Sequence, residues 1–402
     1  MSSGRAVACL AVTQTVGYGV LYYAFADFIG PMSADLHVSA TAVTGALTAS
    51  VLAEAVAAVP IGRWVDRHSG GTVMLVGSVV ESALLVAWSA TGCVAVLYAV
   101  WIGIGLVSAT VLYETAFAVL MPWFAEPAER TRAVLAVTLT AGFASTIFIP
   151  GAAFLIDLVG WRDAVLVLAG CHAVVTIPLH LALRRRSGPT PRPAPRRRLA
   201  PPAESPFRSP AFWLFAFAFT ANSASVYSIA VMLPTLLHAL GHAPSVAATT
   251  TGLLGVFSVV GRLLGAARLG RLPIAFPVAL LFAAQAVGTA LLPVFGRGTW
   301  SAAGCVVGLG LGSGIASLAR PLVLAQRFGV ARFATVSSAW TLPATAAKSL
   351  APVLLTALFQ TSGPTPALAA IAVCAGLSAL CLPVADVLAV RGRRRKEPLP
   401  AC

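Results

Sequence analysis

Gly62-Arg63-Trp64-Val65-Asp66-Arg67-His68-Ser69-Gly70-Gly71 sets three charged side chains into ten residues. The surrounding chain is poor in charge: Asp, Glu, Lys and Arg make up 10% of its 402 residues, against about 25% in a soluble domain. On one side the sequence is apolar over 41–61, on the other over 73–90. Each run approaches the ~20 residues a helix needs to cross a bilayer. The stretch therefore reads as a short polar loop joining two membrane spans.

Working outward, ten more apolar runs follow the same rule, at 6–29, 94–121, 134–156, 163–183, 211–236, 245–267, 274–295, 300–326, 333–359 and 366–390. Hydrophobic residues reach 58% and the mean hydropathy is +0.88. These values exclude a soluble protein, a disordered one and a disulfide scaffold. They predict an all-α membrane protein of twelve transmembrane helices. Seven cysteines stand singly, at 9, 93, 171, 305, 374, 381 and 402. No C-x-x-C pair occurs, so they are expected as small buried hydrophobes and not as disulfides or metal ligands. The first run follows a single Arg5 and has no cleavage site, and is read as a retained span.

A net charge of +14 would suggest a nucleic-acid partner in a soluble chain. Here the basic residues follow the loops instead. With the N-terminus inside, 22 of the 27 Lys and Arg residues fall in cytoplasmic loops and ends. That asymmetry predicts both termini in the cytoplasm, a plasma-membrane location and no nucleic-acid partner. Residues 184–202 (RRRSGPTPRPAPRRRLAPP) are too rich in Pro and Arg to enter lipid. The expected organisation is a six-helix bundle over 1–183, a cytoplasmic linker over 184–210, a second bundle over 211–390 and a tail over 391–402. The halves echo at an offset of about 200 residues, as in Pro150 and Pro352, which predicts two repeats around a central cavity. Gly-rich stretches at 103 and 308 predict close helix packing in spans 4 and 10.

The stretch 62–71 resembles the signature loop of the major facilitator superfamily, which carries Gly, a basic residue, Asp and Arg at this spacing between helices 2 and 3. The resemblance covers essentially the whole chain. It implies two six-helix bundles that rock about a midplane site, with Gly62, Arg63, Asp66 and Arg67 forming a gating loop, Asp66 locking the gate and Arg63 and Arg67 pairing nearby. A narrower resemblance is to the monocarboxylate and oxalate–formate branch, from Trp123-Phe124 through Arg130, Arg132 and Ala141–Ala144. Members of that branch hold a substrate carboxylate with an Arg in helix 8 and a Lys or Arg in helix 11. The matching positions are Arg262 and Lys348. The charged Arg that proton-coupled drug exporters carry early in helix 4 is absent.

Ionisable groups inside a membrane cost about 2.5–3.5 kcal/mol each on insertion scales, so they mark function. Glu54, Glu81 and Glu114 fall within spans 2, 3 and 4, and Arg262, Arg320 and Lys348 within spans 8, 10 and 11. All the acids are in the first half and all the bases in the second. Arg262, Lys348 and Arg320, with Tyr22 and Tyr227, are the candidate substrate contacts: Arg offers a planar fork and Lys a compact charge to a carboxylate. Glu114, Glu54 and Glu81 are the candidate proton carriers, because burial favours the neutral acid and a nearby cation the carboxylate. The six charges could instead pair structurally. His172 and His180 are expected as satisfied core contacts, and Asp157 and Arg162 as a pair across a short outer loop.

The expected protein is a secondary transporter of a small organic anion, a mono- or dicarboxylate, working by alternating access with a proton or an exchanged anion. The alternative is a proton-coupled exporter of drug-like or hydrophobic metabolites. No nucleotide loop, metal cluster or catalytic triad is present in the sequence, so no enzyme activity, metal or cofactor is expected. The expected partners are the substrate, protons and the lipid bilayer, and the expected state is a monomer.

Overall fold

The computed structural model of the chain describes residues 2–184, 206–268, 273–330 and 332–394. Most of the central linker, the tail beyond 394 with Cys402, and Arg271 lie outside the described residues. The described chain runs through α1 (Ser3–Tyr18), a π turn (Gly19–Tyr23), α2 (Phe25–Asp35), α3 (Ala40–Arg67), α4 (Gly70–Ser89), α5 (Val94–Val111), α6 (Tyr113–Leu120), α7 (Pro127–Ala141) and α8 (Ala144–Arg184). It continues through α9 (Pro210–Ala239), α10 (Pro244–Arg268), α11 (Ala275–Phe295), α12 (Thr299–Phe328), α13 (Phe333–Ser362) and α14 (Pro364–Arg394).

Among the described residues, eleven helical stretches are long and apolar enough to cross a membrane. One of them, Pro127–Arg184, has 58 residues, roughly 87 Å at the helical rise. It is two crossings. Inside α8 the backbone of Gly160 takes φ 81° and ψ 165°, a conformation open to glycine and closed to most side chains. Divided there, the chain crosses twelve times, as its apolar runs predict.

The chain divides into two compact units, one of Met1–Ala200 with Gly329–Leu342, the other of Pro201–Phe328 with Pro343–Cys402. The first is filled by an aromatic core: Trp88 and Trp101 meet edge-on at 5.0 Å, with Phe25 4.4 Å from Trp101 and Phe28 4.9 Å from Trp88. All four are fully buried. The second is filled by aliphatic packing of Leu233, Leu236, Val306, Leu309 and Leu368. The Gly-rich stretches do what their composition predicts. A Cβ on Gly105 of α5 would lie 2.0 Å from the Ser50 carbonyl of α3, and one on Gly314 of α12 would lie 1.8 Å from the Ser258 carbonyl of α10. The same pair of crossings, second against fourth, is joined backbone to backbone in each half.

Three expectations are corrected. The stretch 62–71 is not all loop: α3 continues to Arg67, and only His68 and Ser69 separate it from α4. A polar last turn keeps its backbone bonds internal while its charges reach water, which a frayed loop at that depth would not. Arg162 pairs with Asp35 at 2.7 Å and donates to the Ser89 carbonyl at 2.6 Å, tying α2, α4 and α8 together; Asp157 is not its partner. Of the six described cysteines Cys305 is buried, while Cys93 and Cys171 are exposed. A thiol is apolar enough to face lipid as well as core.

Candidate functional site

Gly62 and Asp66 stand one turn apart on α3, so they share a face. That face meets the start of α13 within the first unit. Asp66 accepts the backbone N–H of Ala334 through Oδ1 at 3.1 Å and that of Thr335 through Oδ2 at 2.8 Å. The first amides of a helix have no partner inside it, and a carboxylate there is favoured by the helix dipole. Asp66 thus caps α13 from a distant part of the chain. Gly62 permits the approach: a Cβ would lie 2.6 Å from Ser338 Oγ and 2.7 Å from the Ala334 carbonyl. Arg63 and Arg67 are exposed and, among the described residues, neither forms an ion pair with Asp66.

Two of the three acids belong to a tyrosine group in the first unit. The π turn widens the first crossing at Gly19–Tyr23, where Gly19 leaves room for the Phe148 ring. Tyr22, within that turn, donates its hydroxyl to Glu54 on α3. Tyr18 lies 5.6 Å from the Tyr22 ring and 4.6 Å from that of Tyr113, which stacks on Phe117 at 5.1 Å. Next to Tyr113 stands Glu114. The fourth crossing is broken at Leu112, whose ψ is −171°, so Glu114 occupies the first turn of α6. It accepts a hydrogen bond from Ser337 of α13. Glu81 is placed elsewhere. It is fully buried where α4 meets α5 and α8, receiving Ser108 Oγ at 2.7 Å.

The cations of the second unit separate in the same way. Lys348 Nζ lies 4.9 Å from the centroid of the Tyr227 ring, a cation–π contact, and brings two of the expected substrate contacts together. Lys348 is half-buried and Tyr227 is exposed. Arg262 is directed into the α10–α12 crossing, its Nε donating to the Gly314 carbonyl at 3.2 Å and its second nitrogen reaching Ser258 Oγ at 3.4 Å. Arg320 is half-buried on α12.

Several polar residues escaped the sequence. Ser337 and Ser108, the donors to Glu114 and Glu81, carry no charge to mark them. Arg327 was counted as a loop charge, yet it pairs with Asp386 of α14 at 2.6 Å. A lone Asp in the last apolar run is the signal that could have found it. His172 and His180 lie in the core as expected and meet Ser82 at 3.0 Å and Ser78 at 2.7 Å through Nδ1, but they are not fully satisfied, since His180 Nε2 is buried without a hydrogen-bond partner. Among the described residues no three His, Cys, Asp or Glu side chains are placed to hold a metal ion.

The fold has counterparts among known proteins. The family model described as Major Facilitator Superfamily matches residues 7–352. None of the curated proteins matches the chain in sequence. Among solved structures, the human organic anion transporter MFSD10 (TETRAN) superposes with a TM-score of 0.71 at 13% identity, covering 95% of this chain and 100% of that one. A bacterial homologue of the iron transporter ferroportin, in an outward-facing state with soaked iron, superposes with a TM-score of 0.73 at 16% identity, covering 97% and 99%. At such identities the likeness speaks for the fold. With twelve apolar crossings, the Gly62–Asp66 face and a family match over most of its length, the chain belongs to the major facilitator superfamily of membrane transporters.

Proposed function

We propose that the protein is a secondary transporter of a small organic anion, a mono- or dicarboxylate, working by alternating access in the plasma membrane as a monomer with both ends cytoplasmic. The observation that carries this reading is the Lys348 ammonium held over the Tyr227 ring in the apolar second unit. The ring faces the charge without neutralising it, so the ammonium retains the capacity to bind a carboxylate. Arg262 and Arg320 add positive charge in the same unit. The matching of Arg262 and Lys348 to the monocarboxylate and oxalate–formate pattern supports the same class. The fold likeness does not choose the cargo, since one structural relative is described as an organic anion transporter and another as a homologue of an iron transporter. Glu114 and Glu54 are the proposed proton carriers, with Gly62, Arg63, Asp66 and Arg67 at the gate.

The test is uptake of radiolabelled organic acids into proteoliposomes. Wild type should accumulate the acid, and Arg262→Gln and Lys348→Gln should not, with both variants checked for folding by size exclusion. Full uptake in both variants would remove the site assignment.

One observation favours a second reading. Tyr18, Tyr22, Tyr113 and Phe117 gather two carboxylates, Glu54 and Glu114, in the first unit. Aromatic faces beside acids suit a hydrophobic or cationic compound. A proton-coupled exporter of drug-like molecules would extrude such compounds, lose the activity in Glu114→Gln and transport no organic acid.

A further inference from the structure

A dry polar seam lies inside the first unit, where α4 meets α5 and the second half of α8. Glu81, His172, His180, Ser78 and Ser108 are each no more than 2% exposed. Glu81 Oε1 accepts from Ser108. Its other oxygen, Oε2, is buried without a hydrogen-bond partner and faces His172 Nε2 across 4.0 Å.

The hydrogens follow from counting donors. Ser82 has one hydroxyl hydrogen and gives it to the Ser78 carbonyl at 2.8 Å. The same oxygen meets His172 Nδ1 at 3.0 Å. With the Ser82 hydrogen already used, the hydrogen in that second contact comes from Nδ1. A neutral ring protonated on Nδ1 presents a bare lone pair at Nε2, and that lone pair faces Oε2. Two acceptors opposed in a dry seam repel, and an ionised carboxylate with a single donor there is costly. One proton on Oε2 removes the repulsion and supplies the donor that draws the pair in from 4.0 Å toward hydrogen-bond distance.

We propose that Glu81 and His172 form a one-proton binding site in the wall of the first unit, with Glu81 a carboxylic acid directed at His172 Nε2. The proton is taken from hydronium: one of its O–H bonds breaks, an O–H bond forms on Oε2, and neutral water is released. Of the other titratable groups on α8, Arg162 pairs with Asp35, and Asp157, Asp163, Cys171 and Arg184 are exposed. His180 meets Ser78, Tyr98 of α5 reaches Gly45 of α3, and Glu114 is held by Ser337. Glu54 of α3 accepts from Tyr22 and acts on Glu81 through space. The site stands apart from the substrate contacts and does not depend on the transport reading.

Infrared difference spectroscopy of the full chain in nanodiscs tests it. At neutral pH a carboxylic C=O stretch should be present, shift down in D2O, vanish in Glu81→Gln and survive Glu54→Gln and Glu114→Gln. His172→Leu should keep the band and move it up in frequency, because the O–H loses its acceptor. A C=O band that Glu81→Gln leaves untouched, or that His172→Leu does not move, overturns the proposal. Nitrogen NMR of histidine-labelled wild type covers the case in which neither variant folds: a neutral Nδ1–H ring with an engaged Nε2 upholds the site, whereas imidazolium signals from every histidine at neutral pH overturn it.

Discussion

Asp66 and Thr335 lie 269 positions apart in sequence, yet the carboxylate of one holds the backbone N–H of the other at 2.8 Å. The bond is charge-assisted, its donor sits in the first turn of a long helix, and Ala334 supplies a second amide to the same carboxylate. Hydrogen bonds to charged groups contribute about 1.5–3 kcal/mol. Asp66→Ala should therefore lower the melting temperature in detergent by several degrees. Asp66→Asn, which keeps one oxygen acceptor, should lower it less. Equal melting temperatures for the three proteins would show that the cap is idle.

Lys348 and Tyr227 should separate charge from ring. Lys348→Gln removes the cation and should abolish anion uptake. Tyr227→Phe keeps the aromatic face and should leave KM near wild type. Tyr227→Leu loses a cation–π contact of about 0.5–2 kcal/mol and should raise KM several-fold. Equal KM values for Phe and Leu at this position would count against the ring.

Gly105→Ala and Gly314→Ala each place a methyl within about 2 Å of a backbone carbonyl on the neighbouring helix. Backbone cannot step aside as a flexible side chain can, and overpacking of this kind costs about 1–3 kcal/mol. Both variants should show reduced folded yield by fluorescence-detected size exclusion. Gly151→Ala and Gly170→Ala, where nothing lies within 4 Å of the added carbon, should be near neutral.

Arg327 and Asp386 form a largely buried pair, with side chains 16% and 12% exposed. Breaking one partner of such a pair strands the other, at about 3–5 kcal/mol for a fully buried case and less for this one. Asp386→Asn should destabilise the second unit more than the double variant Arg327→Gln/Asp386→Asn does. Thermal unfolding of wild type, Arg327→Gln, Asp386→Asn and the double variant gives the coupling energy.

The periodicity of lipid-crossing helices makes most of the fold legible in the sequence, because a bilayer enforces length and apolarity on every crossing. Residues 6–29 through 366–390 mark twelve crossings, and the structure has them. Two interruptions were not legible: the break at Leu112 and the π turn at Gly19–Tyr23 occur within continuous apolar runs, where hydropathy carries no signal. The reversal at Gly160 falls between the runs 134–156 and 163–183, where the sequence places a short outer loop. The charges inside the apolar runs were legible in the sequence, and their pairings were not. Glu54, Glu81 and Glu114 read alike as isolated acids, yet one meets a tyrosine, one a serine of its own bundle and one a serine on α13. Only three-dimensional contact distinguishes them, as it does Arg262 on its carbonyl from Lys348 over its ring.

The irregular backbone of the first unit has a mechanical consequence. Tyr22 rides on the π turn, and Glu114 follows the Leu112 break by two residues. The neighbouring crossing of α3 and α5 is instead welded at Gly105. The unit therefore sets one close backbone crossing beside two irregular turns, and Tyr22 and Glu114 stand at those turns rather than on the regular helix.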